Sequence, residues 1–304
     1  MKLLSFRHEG QARLGVVRGG AVVDISELRR LPSHGSLMRS LIADGAQGMQ
    51  ELADALATAK SPEYDLQGLE LLPPIPDPER IFCLGMNFED HSTEMGAERS
   101  EAPNLFLKLP SCLTGSGSAI VLPRGSQEVD YEGELAVVIG SRCRNVSAEA
   151  AMGHVAGYTA INDVSARDLQ FRATQWTAGK ICDTFAPMGP YLVTSDELPS
   201  IEQLRLVTKL NGEKVQDATL DAMIWSVGPT IAYISEILTL LPGDIIAMGT
   251  PAGVGWKRNP PRFLRSGDVI EVSIDGVGTL RNTVEASSTE GGGLPPGLAA
   301  HGTA

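Results

Sequence analysis

Val129-Asp130-Tyr131-Glu132-Gly133-Glu134-Leu135-Ala136-Val137-Val138-Ile139-Gly140 is the stretch on which the reading of this chain turns. Its second half is β-branched and apolar and a glycine follows at once, which predicts a strand. Side chains on a strand alternate between faces, so Glu132 and Glu134 are expected on one face. Gly133 between them lets another group approach the backbone closely. Two like charges so placed repel unless a cation sits between them. A cation satisfied by carboxylate oxygens alone is hard, Mg2+, Mn2+ or Ca2+ rather than zinc, because no histidine or cysteine stands beside the pair. A bare Glu-x-Glu is also how a solvated strand face reads, so the pair needs a third partner to mean more.

That partner is offered downstream. Tyr158-Thr159-Ala160-Ile161-Asn162-Asp163 is a second short strand pattern, and it runs into Ser165-Ala166-Arg167-Asp168-Leu169-Gln170, which reads as the first turn of a helix. Asp163 stands at the junction, either as a helix cap or as a third ligand. As a ligand it completes a three-carboxylate set with open positions for water and substrate, the way Mg2+ is usually held. Three carboxylates and a divalent ion leave about one negative charge, so a site that admits an acid needs cations nearby. Arg167, Lys180 and Lys108 are the candidates.

Three further segments carry side chains able to do chemistry. If the latter part of Met86 to Gly96 is helical, His91 and Glu94 lie at i and i+3 on one face, where the carboxylate can orient the imidazole; an exposed pair is the ordinary use of such spacing. Thr177-Ala178-Gly179-Lys180 places Lys180 after a glycine in a loop. Burial beside a cation there would depress its pKa and make it a proton carrier, against the plain reading of a surface lysine. Gly249-Thr250-Pro251-Ala252-Gly253-Val254-Gly255 has neither a Gly-x-Gly-x-x-Gly opening a helix nor a Gly-Lys-Ser/Thr ending, which excludes both nucleotide readings. It reads as a tight turn offering backbone N–H groups and the Thr250 hydroxyl to a substrate carboxylate.

The run Asp130 to Ile139, the run Asn162 to Gln170, Gln175-Trp176 with Gly179-Lys180, Asp183-Thr184-Phe185 with Pro187 and Gly189-Pro190, and Gly249 to Gly255 together resemble the fumarylacetoacetate hydrolase superfamily. The resemblance spans residues 80 to 286. It implies an α+β, mainly β fold, a mixed β-roll or sandwich surrounded by smaller sheets and helices, usually a homodimer. It implies Mg2+ or Mn2+ held by Glu132, Glu134 and Asp163, and a mobile lid on which His91, oriented by Glu94, activates water. Lys180 would stabilise an oxyanion or protonate a departing enol, while Lys108, Arg167, Gln170 and Thr250 would position the acid. The activity implied is hydrolysis of a carbon–carbon bond in a 2,4-dioxo acid of the acylpyruvate, fumarylpyruvate or fumarylacetoacetate type, in the catabolism of aromatic or related compounds. The same chemistry serves oxaloacetate decarboxylation or tautomerisation and the isomerisation or decarboxylation of 2-hydroxymuconate-type acids. A non-catalytic, metal-dependent dicarboxylate binder is the remote alternative. Two departures from the family pattern stand out, Phe88 where tyrosine is common, and Leu109 where a proline pair usually follows the lysine.

Composition narrows the remaining classes. The 304 residues are 42% hydrophobic and carry a net charge of -12, which suits a globular protein and argues against nucleic acid, whose binding rests on neutralised phosphates. The most apolar region, about Ala222 to Leu241, is broken by Gly228 and Pro229 and carries Glu236, short of a membrane-spanning helix. Met1 to Gly10 has no sustained apolar core of the kind a signal peptide carries, so none is expected there. Cys83, Cys112, Cys143 and Cys182 are isolated and expected as reduced thiols in a cytoplasmic protein.

Residues 1–72 read as a small N-terminal α+β domain, with strands near Lys2 to Phe6, Ala12 to Val17 and Ala21 to Asp24 and helices near Leu37 to Ile42 and Gln50 to Ala59. Residues 73–79 hold closely spaced prolines and read as a linker. Residues 80–286 are the catalytic domain. Within it Asn211-Gly212 and Asp275-Gly276 predict hairpins, and Pro229 starts a helix with an apolar face of Ile231, Ile234, Ile237, Leu238 and Leu241. Residues 287–304 are Ser, Gly and Pro rich, expected as a disordered tail. His8, His34, His154 and His301 have no partners in sequence and are expected to be structural or exposed.

Overall fold

A twelve-stranded sheet forms the centre of the computed structural model, which describes residues 1–28, 35–58, 61–97, 99–198 and 200–287. The expected disordered tail beyond Ser287, with His34 and His301, lies outside these residues. The fold is α+β and mainly β, as expected. Gly133–Ile139 lies in the middle of the large sheet, antiparallel to Val155–Asn162 on one side and to Ile245–Ala247 on the other. Beyond these, Ile245–Ala247 pairs parallel to Ile81–Gly85, which pairs with Asn104–Lys108 at the edge.

The central position explains the unbroken apolar run. Leu135, Val137 and Ile139 enter one core with Tyr158, Ile231 and Ile234, while Ala136 and Val138 enter the opposite core with Ile161, Met188 and Ile245. A strand buried on both faces reads as continuous hydrophobics rather than as alternation. Each large side chain so buried contributes roughly 1.5–3 kcal/mol from the area it removes from water.

Residues 1–72, read from the sequence as a small α+β domain, carry their strands into this same sheet. Lys2–His8 pairs with Ala186–Thr194, and Gln11–Arg18, Ala21–Asp24 and Glu63–Asp65 follow outward. Met38, Leu41, Leu52 and Leu56, from the helices Leu37–Ala43 and Gly45–Thr58, share one core with Ala136 and Ile245.

A five-stranded sheet, ordered Glu213–Thr219, Arg205–Leu210, Val269–Ile274, Gly278–Ala286 and Ala119–Leu122, packs on the first, and both expected hairpins are in it. Gly133 marks the contact. A Cβ there would lie 2.2 Å from Thr208 Oγ1 and 3.2 Å from the Val272 methyls. The group that approaches the backbone between the two glutamates is therefore the second sheet.

Two local expectations differ. The stretch 129–140 is divided into Val129–Asp130, paired with Ser165–Ala166, and Gly133–Ile139, because the chain changes sheets at Tyr131 and Glu132. The apolar stripe of the later helix ends early: Val227–Ile237 buries Ile231 and Ile234, but Ile237 is 56% exposed and Leu238 turns into an extended cap. Among the described residues no helix is long and apolar enough to cross a membrane.

Candidate active site and metal centre

The register of the central strands assembles the carboxylates. Gly133 faces Asn162, so the residues just beyond, Glu132 and Asp163, also meet: Asp163 N donates to Glu132 O at 2.8 Å and Glu132 N to Asn162 Oδ1 at 2.9 Å. Glu134, the second residue of its strand, completes the group. All three are buried, with one carboxylate oxygen of each within 4.8 Å of the others. The donor set is oxygen only, which fits a hard divalent ion.

Charge bookkeeping supports that fit. Lys180 Nζ donates to Glu132 Oε2 and to Asp163 Oδ2, each at 2.7 Å. Lys108 Nζ lies 2.7 Å from Asp163 Oδ1, and Arg167 Nη1 lies 2.7 Å from Glu132 Oε1. Among the described residues no cation pairs with Glu134; its Oε2 accepts the Gly249 N–H at 2.7 Å. Burial, with Asp163 and Glu132 beside it, pushes the Glu134 carboxyl well above the ordinary carboxylate range. Glu132 is equally buried, but Lys180 and Arg167 outweigh the desolvation and hold it below that range. One carboxylate more than the local cations satisfy is the pattern a divalent ion would relieve.

Lys180 sits between two of these carboxylates. Burial lowers its pKa, yet Asp163 and Glu132 overcome that effect and the ammonium is raised above the ordinary lysine value. The depression read from the sequence presupposes a divalent ion beside the ammonium, whose charge would oppose these two carboxylates.

The remaining candidates divide by what their protons already serve. Lys108, 2% exposed, donates to the carbonyls of Val164, Lys180 and Phe185 at 3.0, 2.6 and 2.9 Å, so it anchors the walls of the site. Arg167 donates through Nε and Nη2 to Asp130 and through Nη1 to Gln170 Oε1. The Thr250 hydroxyl donates to Gly133 O at 3.0 Å and accepts from Gln216 Nε2 at 2.7 Å. Its proton is therefore committed inside the protein, although Thr250 borders the cavity.

The glycine-rich loop turns the N–H groups of its three glycines the same way. Gly249 N donates to Glu134, Gly253 N to Glu94 Oε1 at 3.0 Å, and Gly255 N and Trp256 N to Asp130 at 2.7 and 3.0 Å. The glycines are required for this path: Gly253 has φ +104, and a Cβ on it would sit 2.1 Å from Val215 O. The loop reads from the sequence as a cradle for a substrate carboxylate; its amides hold three of the protein's own.

His91 and Glu94 lie in the helix Glu89–Met95, with His91 Nδ1 3.1 Å from Glu94 Oε2. With Nδ1–H given to the carboxylate, Nε2 is left as the basic nitrogen. His91 is 4% exposed and shares a cavity of about 20 Å³ with Glu132, Glu134, Gln170 and Lys180. Met86, Met95, Phe106 and Trp176 form its apolar wall. The structure thus brings His91, Lys180, Arg167, Gln170 and two of the three acids onto one cavity, with Asp163 directly behind Lys180. Sequence reasoning missed Asp130 and Gln216. The aspartate two residues before Glu132 was the available signal for the first; the second had none.

The sequence profile described as "Fumarylacetoacetate (FAA) hydrolase C-terminal" matches residues 80–285. The chain belongs to the fumarylacetoacetate hydrolase family. Relatives in this family include the oxaloacetate tautomerase YisK of Bacillus subtilis, 43% identical over 269 residues, covering 85% of this chain and 88% of that protein. A mitochondrial oxaloacetate tautomerase of Homo sapiens is 38% identical over 290 residues, covering 93% and 91%. Among solved family structures, maleylpyruvate hydrolase of Sphingobium sp. SYK-6, in complex with manganese(II) and pyruvate, is similar with TM-score 0.79 and 31% identity, over 94% of this chain and 99% of that one.

Proposed function

We propose that this protein is a divalent-metal-dependent oxaloacetate tautomerase, interconverting the enol and keto forms of a small 2-oxo dicarboxylic acid. The observation that carries the reading is the placement of two proton-handling groups, His91 and Lys180, on one small cavity beside the Glu132, Glu134 and Asp163 triad. The choice of acid is supported by the activity named for relatives 38% and 43% identical.

A Mg2+ or Mn2+ ion held by Glu132, Glu134 and Asp163 would polarise the 2-oxo oxygen and lower the cost of enolate charge. His91 Nε2 takes the proton of the enol hydroxyl, Glu94 supporting the imidazolium that forms. The Lys180 ammonium delivers a proton to C3 and the keto form results; proton exchange with solvent then returns the imidazolium to imidazole and the Lys180 amine to ammonium. In the opposite direction the same groups exchange roles. Gln170 keeps its amide N–H groups for an oxygen of the acid, since Arg167 already engages its carbonyl oxygen. The buried arginine and lysines favour an anionic substrate. The reading includes a homodimer as the assembly, which sedimentation of the full chain would test.

A second reading is hydrolysis of an acylpyruvate, with His91 drawing a proton from water. It is favoured by the pairing of buried His91 with half-buried Glu94 and by the likeness to maleylpyruvate hydrolase. The test follows the loss of enol absorbance of oxaloacetate, with pyruvate quantified, on metal-stripped protein before and after adding Mg2+ or Mn2+, beside an acylpyruvate panel. The expected result is metal-restored enol loss faster than buffer without matching pyruvate, reduced by about 10²–10⁴-fold in His91→Ala. Pyruvate appearing from an acylpyruvate as the dominant reaction would replace the tautomerase reading with the hydrolase.

A further inference from the structure

Asp130 is fully buried and takes no part in the proton transfers above. Its carboxylate nevertheless collects five donors. Arg167 Nε and Nη2 donate to Oδ2 at 3.0 and 2.9 Å. The backbone N–H groups of Tyr131, Gly255 and Trp256 add bonds of 2.8, 2.7 and 3.0 Å. Gly255 can reach it only without a side chain, because a Cβ would lie 2.6 Å from Asp130 Oδ1 and 2.0 Å from Arg262 O. A loop 125 residues away and a guanidinium 37 residues away thus converge on one carboxylate. With the Nε–Nη2 edge of its planar fork committed to Asp130, the guanidinium is fixed in orientation and Nη1 is aimed away from Asp130. That nitrogen meets Glu132 Oε1 at 2.7 Å and Gln170 Oε1 at 3.0 Å.

We propose that Asp130 is a positioning residue that acts through Arg167, holding Glu132 in its ligating orientation and turning the Gln170 amide nitrogen toward the cavity. The proposal rests on the reading of Glu132, Glu134 and Asp163 as the metal site, but not on which oxo acid is transformed. Without Asp130, Arg167 keeps Glu132 as its one anionic partner within reach and turns its fork onto both oxygens of that carboxylate. The guanidinium then competes with a divalent ion for the same lone pairs. Gln170 in turn loses the donor that fixes its carbonyl oxygen, and its amide is free to reverse.

The test is Mn2+ titration of the substrate-free full-length protein by calorimetry, for wild type, Asp130→Asn, Asp130→Glu, Arg167→Lys and the two double variants, with thermal midpoints recorded alongside. Loss of a group that orients a ligand weakens metal binding about 10–100-fold, and both Asp130 variants are expected in that range. On the Arg167→Lys background each should change affinity by less than about threefold, because the intermediary is already lost. Asp130→Glu separates aim from charge, since it keeps the carboxylate and misplaces it. It also carries the test if Asp130→Asn fails to fold. Wild-type affinity in Asp130→Glu, or effects that add fully to Arg167→Lys, would overturn the positioning role. Absence of Mn2+ binding in wild type would instead overturn the metal-site reading, and this proposal with it.

Discussion

Replacing Lys180 with methionine removes the ammonium that bridges Glu132 and Asp163 while keeping most of the side-chain volume. The lysine is 2% exposed and its Nζ lies 2.7 Å from each carboxylate. Removing one partner of a buried ion pair costs about 3–5 kcal/mol, because a charge is left without compensation. Here Asp163 retains Lys108 at 2.7 Å and Glu132 retains Arg167 at 2.7 Å. The expected loss is therefore at the lower end, about 3 kcal/mol. The assay is urea unfolding in chelator at neutral pH, repeated with Mn2+. In chelator the variant should unfold at distinctly lower urea with an unchanged slope. Mn2+ at about a hundred times its Kd should add about 2.7 kcal/mol to the variant's folded state and recover most of the loss. Turnover should stay lost even then, since the proton donor is missing. Unfolding of variant and wild type within about 1 kcal/mol of each other in chelator would refute the claim that Lys180 balances these carboxylates.

Glu134→Gln should stabilise the protein in chelator by on the order of 1 kcal/mol, since a buried carboxylate flanked by two others is replaced by a neutral acceptor that still takes the Gly249 N–H; Mn2+ should no longer raise its thermal midpoint, and a lower midpoint in chelator would contradict this. Gly133→Ala forces a Cβ to within 2.2 Å of Thr208 Oγ1 and should cost about 1–3 kcal/mol by overpacking. Thr208→Ala should recover part of it in the double variant, and a neutral Gly133→Ala would mean that the sheets do not meet there. Asp268 accepts from Arg262, Asn211 and Arg265 N; burial alone would raise its pKa, but these donors hold it below the ordinary aspartate value. A depressed carboxylate stabilises above the ordinary value and loses that contribution as pH falls through its own. Asp268→Asn should therefore cost about 1–3 kcal/mol at neutral pH, with the gap to wild type closing in acid, and a gap independent of pH would sink the argument.

Short-range physics made much of this protein legible before any coordinates. Alternation and β-branching placed the strands around Glu134 and Asn162, Asn211-Gly212 and Asp275-Gly276 marked hairpins, and spacing put His91 beside Glu94. These are effects of neighbouring residues, so a one-dimensional reading captures them. The triad was legible because Glu132 and Glu134 are close in sequence and Asp163 ends a recognisable strand.

What tertiary structure alone decided lies in contacts between distant segments. Strand register brought Glu132 opposite Asp163, and sheet continuity joined residues 1–72 to the centre. The glycine-rich loop turned three of its amides to Glu134, Glu94 and Asp130, so the Thr250 hydroxyl and the N–H groups of Gly249, Gly253 and Gly255 serve the protein itself. The placement of Lys180 between Glu132 and Asp163, which raises its pKa, was set the same way, since the sign of a pKa shift depends on which charges surround a buried group. Composition and periodicity specify which residues can carry charge and which faces must be buried. Which donor meets which acceptor across more than a hundred residues is set only when the packed sheets fix their relative positions.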